Sequence, residues 1–378
     1  MKILGIETSC DETSCAIVED GYRVLANVIY SQIDLHAKTG GVVPEVAARE
    51  HVLKVTPVLD ECLSKANLTL DDLDAIAITK GPGLISSLII GTETASVISY
   101  LKNKILIPVH HVTGHVYANF LSPMMKDGKP VEAEEPNIEF PILVLTVSGG
   151  HNEILLMTDH NEFQILGETR DDAAGEAFDK VARILGLGYP GGPKISKAAE
   201  NGNKNAFDLP RSFLETGSLD FSFSGLKTAV LTEIKEYIRE NFPDEELNNY
   251  EAISSKLPEQ FKSDMAASFQ EAVVDVLTEK LLQAYLTLKS SGTNIKQLHL
   301  AGGVSANTRL REMISQKVET LKKSGEINDV EVCYPKSLAF CTDNAAMIAS
   351  AGYYVYMKNP KAFKAHSNIT PTTSFDIF

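Results

Sequence analysis

The sequence predicts a duplicated α/β fold, on three observations. Two segments read as hairpins. Ile3, Leu4 and Ile6 lead into the polar run Glu7-Thr8-Ser9-Cys10-Asp11-Glu12-Thr13-Ser14, and Ala16-Ile17-Val18 follows. Ile142-Leu143-Val144-Leu145 leads into Thr146-Val147-Ser148-Gly149-Gly150-His151-Asn152, and Ile154-Leu155-Leu156 follows. Short aliphatic runs around a small polar turn mark paired strands. Two further segments read as strand, glycine turn and helix. Ala75–Ile78 runs into Lys80-Gly81-Pro82-Gly83 and a helix from Leu84; Leu298-His299-Leu300 runs into Ala301-Gly302-Gly303-Val304-Ser305-Ala306-Asn307 and a helix from about Thr308. The third observation is the order. Hairpin then glycine–helix unit occurs twice, as internal duplication would produce.

Each glycine turn aims backbone N–H groups and a helix dipole at an anion. Between the repeats, Met124–Glu139 holds Lys126-Asp127-Gly128-Lys129-Pro130 and Glu132-Ala133-Glu134-Glu135-Pro136, which reads as a solvated connector. Asn241–Lys256 reads as an acidic loop between two helices, the later one running from about Pro258 to Lys289 on 3.6-residue periodicity.

A chain of 378 residues exceeds one ordinary core and implies two domains of roughly 100–200 residues. Apolar content of 44% and charged content of 22% place it among water-soluble globular proteins. No apolar run reaches the roughly 18 residues of a membrane span. Met1-Lys2-Ile3-Leu4-Gly5 runs straight into a strand without a secretory pattern, so the expected location is cytoplasmic. Five cysteines, Cys10, Cys15, Cys62, Cys333 and Cys341, form no CxxC and suit a reducing compartment. Cys10 and Cys15 read as buried thiols, with metal or nucleophile roles as the alternative. A net charge of −15 disfavours non-specific nucleic-acid binding, so any RNA contact needs a local basic patch or a basic partner.

His111-Val112-Thr113-Gly114-His115 carries the strongest chemistry. Histidines four apart share a helix face and converge on one divalent ion, or else pack and hydrogen-bond there. A metallopeptidase needs a glutamate after the first histidine, and Val112 stands there instead.

Eight motifs in order then carry a resemblance. They are Glu7–Thr13, His111-x-x-x-His115, Val147–His151, Gly175-Glu176-Ala177-Phe178-Asp179-Lys180, Tyr189-Pro190-Gly191-Gly192-Pro193, Phe221–Thr228, Gly302–Asn307 and Cys341-Thr342-Asp343-Asn344-Ala345-Ala346-Met347. From about residue 2 to residue 360 the chain resembles the bacterial TsaD family, the tRNA N6-adenosine threonylcarbamoyltransferases. The resemblance implies the actin-like, sugar-kinase and Hsp70 type of fold, two similar α/β lobes about a nucleotide cleft. Lobe I would span residues 1–120 with a returning segment of about 340–378, and lobe II residues 121–339. The implied reaction moves a threonylcarbamoyl group from threonylcarbamoyl-AMP to the exocyclic amine of the adenosine 3′ of the anticodon. The acceptor tRNAs read codons beginning with A, and AMP is released.

The resemblance maps one metal ion per subunit onto His111, His115 and Asp343. Two imidazoles and a carboxylate suit Fe(2+) or Zn(2+) and leave positions for substrate oxygens. Asp343 could instead cap a helix Asn344–Tyr353. His110 reads as structural and His151 as a neighbour of the ligands. The donor nucleotide, or ATP or ADP, would lie on Thr146, Val147, Ser148, Gly149 and Gly150, with Asp179 at the ribose, Gly192 beneath it and Asn307 nearby. Asp179 could instead pair with Lys180 or Arg183, and Asn307 could cap the following helix. Ser196 stands where many members carry an acid, so that ribose contact is weakened. Glu7 occupies the position where actin-like kinases place aspartate, as it does in the family. Asp11 and Glu12 are the candidates for orienting the incoming amine or taking its proton; turn-forming acids are the alternative.

Implied partners are tRNA, a TsaB-like paralogue, a small TsaE-like ATPase and a TsaC-type synthase that supplies the donor, with no membrane. Candidate RNA contacts are Lys322, Lys323, Lys336, Lys358, Lys361 and Lys364, which a solvated charged face explains equally well. Competing functions are a small-molecule kinase of the same fold, a metalloendopeptidase, and a non-catalytic paralogue, against which the retained ligand set argues.

Overall fold

The structure, a computed structural model, describes residues 1–126, 129–212, 217–243, 249–327 and 329–374. Its first part runs β1 (Lys2–Glu7), β2 (Glu12–Glu19), β3 (Arg23–Ser31), α1 (Ile33–His36), α2 (Pro44–Ala66), β4 (Ala75–Gly81), α3 (Ile85–Lys102), β5 (Ile105–His110) and α4 (His111–Tyr117). A short ladder follows, β6 (Met125–Lys126) with β7 (Lys129–Pro130). The second part runs β8 (Ile142–Val147), β9 (Asn152–Asp159), β10 (Glu162–Glu168), α5 (Ala174–Ile184), α6 (Gly191–Ala199), α7 (Ser224–Asn241), α8 (Tyr250–Lys256), α9 (Glu259–Ser290), β11 (Gln297–Ala301), α10 (Thr308–Ser324) and β12 (Glu331–Cys333). The last helix is α11 (Ala345–Lys358).

The strand orders are β3-β2-β1-β4-β5 and β10-β9-β8-β11-β12. In each sheet the first three strands of that order pair antiparallel and the rest parallel. The two sheets are therefore one topology used twice, the duplicated two-lobe fold that the repeated order implied.

Both sheets are covered on both faces, so their central strands are continuous apolar runs. Leu4 and Ile6 pack outward with Val58, Leu59 and Cys62 of α2 and Ala95 of α3. Leu143, Leu145 and Val147 pack outward with α5, α9 and α10. The inner faces, Ile3 and Ala16 from one sheet and Ile142, Val144 and Leu155 from the other, share a single core with α4 and α11. The order is helices, sheet, helices, sheet, helices. The middle layer joins the lobes.

That layer depends on close backbone approach. A Cβ on Gly5 would lie 2.1 Å from Ala345 O and 2.9 Å from Ala349 N, so α11 sits directly on β1. A Cβ added to Gly114 of α4 would meet Ile348 Cδ1 at 2.8 Å. These contacts bring the starts of α4 and α11 together at the C-terminal ends of β1, β4 and β5, where open α/β sheets hold ligands.

Local expectations hold with three differences. Helix α9 starts after Pro258 and α10 at Thr308, as the periodicity and the glycine turn required. The connector carries the β6–β7 ladder, although its Asp127 and Gly128 lie outside the described residues. The acidic insert is not all loop: Asn249 accepts a hydrogen bond from Ala252 N and starts α8, and residues 244–248 lie outside the described set. The first glycine turn packs on protein, for Leu84 N donates to Ser9 O at 2.8 Å and a Cβ on Gly83 would be 2.6 Å from that oxygen. Among the described residues no helix is long and apolar enough to cross a membrane.

Gly5→Ala should destabilise the protein by about 3 kcal/mol or more, because backbone rather than a flexible side chain must yield; chemical denaturation measures this. A second prediction concerns Glu271 of α9. It accepts bonds from Arg309 Nε (2.7 Å) and Nη2 (2.8 Å) and from Lys204 Nζ (2.8 Å). The hydrogen bond from Arg309, with the help of Lys204, outweighs burial and holds its carboxyl near 2 against an ordinary 4.5. A depressed carboxyl stabilises above its ordinary value, and that contribution is lost as pH falls towards 2. Glu271→Gln should cost about 2 kcal/mol at pH 7. The deficit should shrink between pH 4.5 and pH 3, and a pH-independent deficit would contradict the linkage.

Candidate metal and nucleotide site

Chain geometry at the end of β5 supplies the two imidazoles. His110 caps α4, its Nδ1 accepting from Val112 N at 3.2 Å and its carbonyl accepting from Thr113 Oγ1 at 2.8 Å. His111 and His115 then lie one helical turn apart, their rings edge-to-face with centroids 4.8 Å apart. Asp343 approaches from the start of α11. Its Oδ1 lies 3.5 Å from His111 Nε2 and 3.2 Å from His115 Nε2. One ligand atom from each residue falls within 4.8 Å of the others.

Asp343 does not cap the following helix, contrary to the alternative raised from sequence. The helix begins at Ala345, and Asn344 caps it by accepting from Met347 N at 3.1 Å. The carboxylate one residue earlier is thereby left to face the imidazoles.

Glu7, at the end of β1, has no exposed surface. It accepts from Ser9 N at 2.5 Å and Thr79 Oγ1 at 2.6 Å, and its Oε2 lies 3.2 Å from His111 Nδ1. Ser9 Oγ lies 3.2 Å from the same nitrogen. A carboxylate at Nδ1 keeps a proton on that nitrogen, so Nε2 is the nitrogen that faces Asp343 and would be free for a metal. Burial pushes Glu7 up, but the charge and hydrogen bond of His111 hold it below its ordinary value. Burial pulls His111 down, yet Asp343 and Glu7 raise it to about 9. Asp343 in turn is opposed by burial but held near 2 by the two histidines.

His115 is 1% exposed, and neither of its ring nitrogens makes a hydrogen bond. Asp343 Oδ1, 3.2 Å from Nε2, is the polar group that faces this buried ring, and a buried imidazole with unmet hydrogen-bonding capacity is costly. A divalent ion would satisfy Nε2 of both rings and the Asp343 carboxylate, so the donor set fits the implied metal. His151 is held below its ordinary value by burial, then by His111 and His115, which puts it beside this cluster.

The first hairpin turn brings further acids. Asp11 is 7% exposed, and Glu12 accepts from Ser31 Oγ at 3.0 Å. Burial, then Asp11 and Asp343, pushes Glu12 well above its ordinary value. Burial pushes Asp179, across the cleft on α5, up as well, with a smaller contribution from Asp11. The Asp179 carboxylate accepts from Gly191 N at 2.6 Å. It takes no cation from Lys180, which pairs with Asp172 and Glu176 at 2.7 and 2.9 Å.

The second hairpin turn is closed by Ser148, whose N donates to His151 O at 2.8 Å and whose Oγ accepts from His151 N at 3.1 Å. Gly149 and Gly150 face open space, as does Gly192 at the start of α6. Val147 buries its side chain in the outer core, leaving its backbone at the turn, and the buried Thr146 Oγ1 has no partner. Asn307 does cap α10, accepting from Leu310 N at 3.0 Å. Its Nδ2 donates to Ser196 Oγ at 3.1 Å and Gln270 Oε1 at 2.9 Å, so Ser196 is used within lobe II.

Sequence reasoning missed Glu7 as the group that orients His111. A signal existed, a carboxylate closing an otherwise apolar central strand. Three of the six candidate RNA-contacting lysines have partners on the chain itself: Lys322 with Asp329, Lys336 with Glu134 and Lys358 with Glu162. All five cysteines are free thiols. Burial pushes Cys10 and Cys15 well above their ordinary values, so both are unreactive at neutral pH.

Two α/β lobes of one topology, with imidazoles and carboxylates gathered at the strand ends between them, define a two-lobe fold of the actin-like, sugar-kinase type. The solved structure of full-length HypF in its phosphate- and nucleotide-bound form shares that fold, with a TM-score of 0.50 at 15% identity over 95% of this chain and 56% of HypF. Within that class the chain belongs to the TsaD family: the model for tRNA N6-adenosine threonylcarbamoyltransferase matches residues 23–350. The transferase of that name from Clostridium novyi is 48% identical over 95% of this chain and 93% of its own length. The one from Thermosipho africanus is 47% identical over 95% of each.

Glu7→Gln keeps the shape but removes the charge behind His111. It should weaken zinc or iron retention by about 10–100-fold, read by chelator competition, with the fold intact by circular dichroism.

Proposed function

We propose that the chain transfers the threonylcarbamoyl group from threonylcarbamoyl-AMP to the exocyclic amine of the adenosine immediately 3′ of the anticodon, in tRNAs reading codons that begin with A. The amine nitrogen forms a bond to the carbamoyl carbon, the bond from that carbon to the phosphate oxygen breaks, the amine loses a proton, and AMP leaves. The observation that carries this reading is the convergence of His111, His115 and Asp343 beside the first hairpin turn, in a chain of this family.

Those three side chains would hold one divalent ion, Fe(2+) or Zn(2+). When bound, it supplies a Lewis acid at the carbonyl oxygen under attack. Glu7 keeps His111 in the tautomer that presents Nε2 to it. The open backbone of Gly149 and Gly150 admits the donor closely, since no Cβ intervenes. Asp179 has one carboxylate oxygen on Gly191 N and the other for a ribose hydroxyl. Gly192 lies beneath the nucleoside, and Asn307 fixes the neighbouring turn. An aryl amine is a weak nucleophile, so positioning carries much of the barrier. Asp11 orients the amine, and Glu12, raised above the ordinary carboxylate range, is the better proton acceptor.

The substrate is tRNA, and the isolated chain binds it weakly. Its charge is −15, and Lys322, Lys336 and Lys358 already serve carboxylates of the chain. A TsaB-like paralogue and a TsaE-like ATPase would complete the assembly, a TsaC-type synthase would supply the donor, and the reaction would be cytoplasmic.

Metal-loaded protein, the paralogue, the ATPase, threonylcarbamoyl-AMP and unmodified tRNA should yield threonylcarbamoyl-adenosine in the digested tRNA, weighed by mass spectrometry. His111→Ala and Asp343→Ala should reduce it to background. No product, with donor and tRNA intact and the partners active in a control, would overturn the reading.

A further inference from the structure

Residues 334–344 form the strand of chain that leaves β12 in the second sheet and delivers Asp343 to the first. On the lobe I side this crossover is fixed by the Asn344 cap and by Ala345 N, which donates to Ser14 Oγ at 2.9 Å. On the lobe II side one residue of α10 reaches it. The guanidinium of Arg311 lies 4.2 Å over the Tyr334 ring, and its Nη2 donates to Cys341 Sγ at 3.4 Å. Cys341 is fully buried, two residues before Asp343, and its own Sγ reaches Ser337 O at 3.7 Å. The same guanidinium donates through Nε to Ser305 O at 2.5 Å.

Ser305 belongs to the second glycine turn, Gly302–Asn307. That turn packs against the end of β8: Gly302 has φ +83°, and a Cβ on it would lie 2.4 Å from Val147 O. Asn307, at the other end, is tied to Ser196 and Gln270. One planar side chain thus holds the turn that ends at Asn307, the residue placed near the nucleoside, with one nitrogen and the crossover that carries Asp343 with another.

We propose that Arg311 is a positioning residue that couples a nucleoside bound beside Asn307, at the end of the Gly302–Asn307 turn, to the affinity of His111, His115 and Asp343 for their metal. The inference rests on the site assignments of the proposed function. A nucleoside that orders the turn fixes Ser305 O, and with it the plane of the guanidinium. The plane fixes Cys341, and Cys341 fixes Asp343 two residues on. Coupling of this kind is reciprocal, so metal must favour the nucleoside by the same factor. Only a rigid fork can serve both acceptors at once; the single ammonium of lysine cannot reproduce it.

The test measures zinc affinity by chelator competition, with and without saturating adenosine. Adenosine is the probe because it has no phosphate that could ligate the metal directly. In the parent protein adenosine should tighten zinc about tenfold, and zinc should tighten adenosine by the same factor. In Arg311→Lys each ligand should still bind alone, while the factor falls to about one. Cys341→Ala leaves the Ser305 bond and the Tyr334 stack in place and should lower the factor too, which covers the case of an unstable Arg311 variant. A merely structural role would weaken binding without removing the interdependence. Retention of the parent factor in either folded variant, or no interdependence in a parent that binds both ligands, would overturn the coupling. A parent that binds zinc but not adenosine, or adenosine but not zinc, would overturn the site assignment itself, and the coupling with it.

Discussion

The approach of α11 to β1 sets where the chemistry can be. Peptide backbone meets peptide backbone at Gly5, and the helix cannot be this close over any residue with a side chain. Because α11 lies so low, its first turn ends beside the last residue of β1, and the two residues before it reach over the strand ends. Ala345 and Ala349 carry the same closeness from the helix side. On the lobe I side Asp343 therefore gets its position from packing in the middle layer. The imidazoles are delivered by a second close contact, α11 on Gly114 of α4.

Charge then determines which atoms face inward. Glu7 is buried at a strand end where it would be costly alone, and it is tolerated because His111, Ser9 and Thr79 surround it. The protonated nitrogen of His111 belongs to Glu7, so the other nitrogen belongs to the cleft. Asp11, Glu12 and Asp343 crowd the same region, and their repulsion is what raises Glu12 once burial has begun to do so. A cation among these groups would relieve several of these tensions at once.

Much of this was legible in the chain because strand and helix periods are local. The repeated order of hairpin and glycine turn appears as two sheets of the same strand order, and the long helix begins and ends within a residue of where its apolar period places it. The i, i+4 histidines could be read as convergent because helix geometry needs no tertiary information. What could not be read was anything decided by long-range contact. Whether Asp343 or Asn344 caps α11 depends on where α11 docks, since both are good caps in isolation. Whether Asp179 pairs with Lys180 depends on Asp172, eight residues before that lysine but brought near by the turn before α5. The lysines at 336 and 358 look free in a sequence because their carboxylate partners are far along the chain, 202 positions away for Lys336 and Glu134 and 196 for Lys358 and Glu162.

The two glycine turns began as equivalent parts of a repeated unit and no longer do equivalent work. The first is pressed against Ser9 and supports the wall behind His111; the second is capped by Asn307 and held by Arg311 on the opposite side of the cleft. One half has kept the backbone plan and gathers imidazoles at its strand ends, while the other has kept it and ties its turn with Asn307 and Arg311. The chain is in this sense a heterodimer that happens to be covalently joined. Two copies of either half, however well they folded and paired, would present two like walls to the cleft.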